Sequence, residues 1–96
     1  LSFRGGSMSD LIKTSVVDDQ LIKDGVTLIS VGDEFKERKN PYRAYRCTSI
    51  DLHNIDFEKT AVGNFETHEL GKSQRFLTNH FINQELGLVP TGSKHE

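Results

Sequence analysis

Two β-prone runs dominate the hydrophobic pattern, and they are separated by a charged connection. Val26, Leu28, Ile29, Val31 and Phe35 supply the first; Tyr45, Cys47, Thr48, Ile50 and Leu52 supply the second. The connection contains Asn40-Pro41, a turn dipeptide, so Val26–Leu52 reads as a long hairpin. Gly32, inside the first run, marks a bulge or a tight bend. In the second run, alternation puts Tyr45 and Cys47 on one face and Ala44, Arg46, Thr48, Ile50 and Leu52 on the other.

The stretch before this hairpin supports two readings. Leu11-Ile12, Val16-Val17 and Leu21-Ile22 recur every five residues, which suits neither a helical stripe nor strand alternation. A helix could be capped by Ser15, with Asp18 and Asp19 in its first turn and Gly25 beyond its end. Alternatively, Asp24-Gly25 turns a hairpin that pairs residues 20–23 with 26–29. The hairpin is preferred, because Val, Ile and Thr dominate the run that begins at Val26.

After a break at His53-Asn54, Ile55, Phe57, Ala61 and Val62 read as a further strand, turning near Gly63-Asn64. Phe65–Leu70 alternates weakly, as an edge strand would. Ser73–Leu86 predicts a helix: Ser73 caps it, Phe76, Leu77, Phe81 and Ile82 share a broad face, and Gly87 ends it. Leu1–Ser7, with Gly5-Gly6-Ser7 ahead of Met8, reads as an upstream or appended segment, leaving one domain over residues 8–89 and a frayed polar tail over 90–96.

These elements predict an α+β fold: a small twisted antiparallel sheet of four to five strands with one C-terminal helix across a face. The order of a strand, a charged loop (Lys36 to Pro41) and further short strands also resembles small SH3-like barrels over about half the chain, without a diagnostic motif. The resemblance implies a binding role and names no ligand.

Composition adds a size limit. The chain has 96 residues, 34% hydrophobic, with six Phe, two Tyr and no Trp, so its core is thin and burial by a partner or a second copy would stabilise it. A net charge of −2 gives no overall bias towards polyanions. Cys47 is the sole cysteine, which excludes an intrachain disulfide and fits a reducing compartment. No apolar run is long enough to cross a bilayer, and the expectation is a soluble, cytoplasmic protein with no membrane partner.

Candidate chemistry concentrates in the connection. Lys36, Arg38, Lys39, Arg43 and Arg46 stand against one acid, Glu37, with Tyr42 and Tyr45 interleaved. Cations for phosphates beside rings for bases are what single-strand binders use; a solvated hairpin tip, balanced by Asp33-Glu34 and Asp18-Asp19, has the same composition. Cys47 with His53, His68, His80 or His95 forms no recognisable nucleophile–base motif, and His53 with Asp56 lacks a second ligand pair. No cofactor, metal or catalytic residue is therefore assigned. The expectation is a small non-enzymatic protein-interaction module, with self-association through an edge strand near Leu21–Val26. The alternative is a nucleic-acid-binding domain using Lys36–Arg46.

Overall fold

The computed structural model describes residues 13–92, which form eight antiparallel strands in two sheets and one short helix. The first sheet is a meander of β1 (Thr14–Val17), β2 (Gln20–Lys23) and β3 (Val26–Ser30). The second contains β4 (Glu34–Glu37), β5 (Ala44–Ile50), β6 (Asn54–Ala61), β7 (Ser73–Leu77) and β8 (Leu88–Gly92), in the order β7-β6-β5-β4-β8. Helix α1 is a single five-residue turn, Thr78–Ile82.

Both hairpins of the first sheet close through two-residue turns. Asp24 and Gly25 have φ of 52° and 80°, the positive values a type I′ turn demands, and Lys23 pairs with Val26 across them. Asp18 and Asp19 make the same turn, with φ of 54° and 61°, and Val17 pairs with Gln20. The helical reading of this stretch is thereby excluded. Asp tolerates left-handed backbone better than most residues, which is why two acids can serve as a hairpin tip.

Gly32, at φ 100°, bends the chain between the sheets. Around it Val31 N–H donates to the Asp19 carbonyl, Gly32 N–H to that of Cys47, and Cys47 N–H to that of Asp33, at 2.8–2.9 Å. The path from β3 into β4 therefore bonds to one sheet and then to the other. Neither sheet closes on itself, so the barrel is not formed.

One continuous core joins the two sheets: Leu21 and Ile29 from the first, and Phe35, Tyr45, Cys47, Ile55 and Phe57 from the second. Phe57 is fully buried and meets Phe35, Tyr45 and Phe76 edge to face, with ring centroids 5.6–6.2 Å apart. Tyr45 and Cys47 share the inner face as their alternation predicts. Ile50 does not stay on the face opposite them, because Thr48 is an extra residue of β5, inserted between Cys47 and Ser49 where β6 steps directly from Phe57 to Asp56. That bulge shifts the alternation, so Ile50 pairs with buried Ile55 and packs on the core.

Several expectations fail for one reason: non-local pairing outweighs local pattern. Ser73–Leu86 is not one helix. Its first five residues pair with β6, Asn54 to Leu77 and Glu58 to Ser73, and satisfy their backbone there. Only then does α1 begin, and buried Thr78 fixes it by donating its hydroxyl to the Asp51 carbonyl (2.7 Å) and its N–H to that of His53 (3.0 Å). Phe65–Leu70 is no edge strand but lies in a 3-10 segment, Asn64–Glu69, and the turn immediately after it. Pro90, Thr91 and Gly92, expected in a frayed tail, belong to β8; residues 93–96 lie outside the described residues, as does the upstream segment 1–7. Of the edge expected near Leu21–Val26, Leu21–Lys23 is internal, since β2 has β1 on one side and β3 on the other, while Val26 opens β3 at the edge of that sheet.

Candidate functional site

The connection between β4 and β5 folds so that its basic residues point to different places. Lys36 and Arg46 alternate with core residues, Phe35 and Tyr45, and so fall on the outer face of the second sheet. There Arg46 meets Glu58 at 2.7 Å, and Arg75 meets Asp56 at 2.8 Å, making a charge-paired surface. Arg38 and Lys39 are exposed in the loop. Among the described residues, Lys36, Arg38 and Lys39 take part in no ion pair. Tyr42, Arg43 and Tyr45 gather on the inner side, so the seven candidate residues do not form one patch.

Arg43 organises that inner side. Its Nε donates to Glu66 Oε1 at 2.9 Å, a second guanidinium nitrogen bonds Glu66 Oε2, and Nη1 reaches Glu37 Oε1 at 3.4 Å. Glu37 also accepts from the Tyr45 hydroxyl at 2.5 Å and from Asn40 Nδ2 at 3.2 Å. Nearby, Lys59 Nζ meets Glu69 Oε1 at 2.8 Å. Glu37, Arg43, Tyr45, Lys59, Glu66 and Glu69, with Gln74, line a polar cleft of about 300 Å³.

The electrostatics result from the pairing. Burial pushes the Glu37 carboxyl up, but hydrogen bonds from Tyr45 and Asn40 and the charge of Arg43 outweigh it, and its pKa is lowered. The hydrogen bond from Arg43 lowers Glu66, and that from Lys59 lowers Glu69. Burial, and the hydrogen bond to Glu37, raise the Tyr45 phenol. The acids are therefore held as carboxylates and the phenol as a neutral donor. Each of these charges has a partner inside the cleft, which makes the cluster a fastening.

What it fastens is the 3-10 segment. Glu66 and Glu69 both lie in it, and Gly71 N–H and Lys72 C=O continue its attachment through backbone bonds to Lys59 at 2.9 Å. Glu66 Oε1 also accepts from Gly63 N–H at 3.3 Å. With the segment pinned by its acids, Phe65 points away from the sheet and is 98% exposed. Beside it Tyr42 is 52% exposed, with the Arg43 guanidinium carbon 5.5 Å from its ring centroid. Tyr42, Val62, Gly63 and Phe65 border a shallow hollow of about 430 Å³. Gly63 lets the Tyr42 ring lie close: a Cβ there would stand 2.9 Å from Tyr42 Cε1 and would push that half-exposed ring aside.

Of the sequence candidates, Tyr42 borders this surface and Arg43 supports it. Phe65, Val62 and Glu66 are not among those candidates. One signal for them exists, Glu66 three residues after Gly63, the spacing at which an acid caps the start of a helical turn.

The remaining candidates are placed apart from any reaction centre. The Cys47 thiol is buried, and burial pushes its pKa up to about 12. His53, His68 and His80 are exposed; His95 lies outside the described residues. Among the described residues, no three His, Cys, Asp or Glu side chains are grouped to hold a metal ion, and no helix is long and apolar enough to cross a membrane. Comparison with protein-family models, with curated proteins and with solved structures finds nothing that matches the chain.

Proposed function

We propose that the protein is a non-enzymatic protein-interaction module that self-associates through the surface around Phe65 and Tyr42. One observation carries the reading: a fully projecting phenylalanine on a segment pinned by two acid–base pairs, beside a hollow of its own making. Aromatic side chains held ready in this way are the usual energetic centres of protein contacts, because little ordering is required on binding. Burying one phenylalanine is worth about 1.5–3 kcal/mol. Knob and hollow lie on the same patch, and a two-fold axis needs that self-complementarity, each Phe65 entering the other copy's hollow.

A nucleic-acid role has less support, because Arg43 and Arg46 are neutralised and Lys36 lies on a different face from Tyr42 and Tyr45. Sedimentation of the wild type and Phe65→Asp from micromolar to millimolar concentration tests the proposal. The wild type should gain mass with concentration and Phe65→Asp should stay monomeric. A wild type that remains monomeric throughout, or a variant that associates equally well, overturns it.

A further inference from the structure

A second concavity lies on the far side of β4 from the polar cleft, where the edge strand β8 and helix α1 meet the sheet. It is a cleft of about 290 Å³. Phe35 borders it, with Phe81 of α1 edge-to-face against that ring at 5.8 Å, and Leu28, Ile82 and Leu88 complete apolar walls. These residues come from β3, β4, α1 and β8, so the cleft is built by the fold rather than by one mobile loop. Arg38 stands on its border. The backbone N–H of Arg38 is fixed to the Gly87 carbonyl at 2.8 Å, while its guanidinium takes part in no ion pair or hydrogen bond among the described residues.

We infer that this cleft binds a small amphipathic carboxylate, with an acyl chain or single ring among Phe35, Phe81, Ile82 and Leu88 and the carboxylate on Arg38. Apolar walls with a few polar groups, here Arg38 and Gln84, are the usual composition of a small-molecule site, and a volume near the lower end of the usual range of about 300–1,000 Å³ limits the ligand to a short or medium chain. A guanidinium offers two parallel N–H donors to a carboxylate, a match that neither an alcohol nor an amine can make. The site is separate from the Phe65 surface and does not depend on self-association.

The test uses sodium octanoate, below its aggregation concentration, titrated into the 96-residue chain and monitored by amide resonances. Octanol and octylammonium serve as uncharged and cationic counterparts. Octanoate should shift the amides of Leu28, Phe81, Ile82 and Leu88 saturably, and octylammonium should not. Arg38→Met, a change at an exposed side chain, should leave the folded spectrum in place and weaken octanoate about tenfold, to the level of octanol. Absence of saturable shifts, shifts centred elsewhere, an equal response to octylammonium, or an unaffected Arg38→Met each overturns the inference.

Discussion

Phe57 and Phe81 should differ in what they contribute to stability, and the difference can be worked from their surroundings. Phe57 is fully buried with three ring partners, while Phe81 is half-buried and has one, Phe35. Truncating a buried phenylalanine to alanine costs about 3–5 kcal/mol, and each lost edge-to-face pair adds about 0.5–1.5 kcal/mol to simple burial. Phe57→Ala therefore belongs at the upper end, about 5 kcal/mol, and Phe81→Ala near 2 kcal/mol. A domain of this size has a total stability of only about 4–12 kcal/mol, so Phe57→Ala is expected to be largely unfolded on warming. Phe57→Leu keeps most of the volume, loses the three ring contacts, and should cost about 2–3 kcal/mol. Urea unfolding measures all three variants, and in thermal melts each kcal/mol corresponds to about 4–8 °C. Equal losses at Phe57 and Phe81 would refute the reasoning, because the core would then be centred on the helix rather than on β6.

Three further outcomes are expected. Tyr45→Phe removes a donor from Glu37 and should cost about 1.5 kcal/mol by urea unfolding. Glu37, Glu66 and Glu69 have lowered folded pKa values, so their contribution is complete above the ordinary carboxylate pKa and is lost as pH falls through the lowered values. Tyr45→Phe should flatten that acid limb, and an unchanged limb would exclude the Tyr45–Glu37 bond as a cause. Cys47 should label slowly with a thiol reagent in the native state and fast in urea, because burial blocks access and opposes the thiolate; rapid native labelling contradicts that placement. Gly25→Ala meets no atom within 4 Å and should cost only the strain of positive φ, about 1–2 kcal/mol by urea unfolding, whereas no cost would show that the turn can change type.

Features fixed by neighbouring residues were legible in the sequence. The Asp24-Gly25 turn, the bend at Gly32 and the inward side of Tyr45 and Cys47 all come from local chemistry or alternation, whereas of the long hairpin expected over Val26–Leu52 only Glu34–Glu37 pairs with β5, because Val26–Ser30 joins β2 in the other sheet. Features fixed by distant partners were not. Ser73–Leu77 carries helix signals, yet β6 offers it a complete ladder, and β8 becomes a strand only because β4 lies beside it. The candidate surface was half legible. Tyr42 and Arg43 stood out, but Glu66, which pins the opposing segment, is 23 residues away from Arg43. Counting cations along the loop could not show that Arg43 turns inward to two acids, and its weak alternation disguised the segment carrying Phe65 as a strand.

The central claim is that Phe65 and Tyr42 form the contact surface, and amide spectra recorded across a dilution series test it residue by residue. As concentration rises, the amides of Tyr42 and of Val62 to Glu66 should shift together along one binding curve, with β1 and the outer face of the second sheet unchanged. Shifts confined to the β1 edge, or a spectrum that does not change with concentration, would contradict the account.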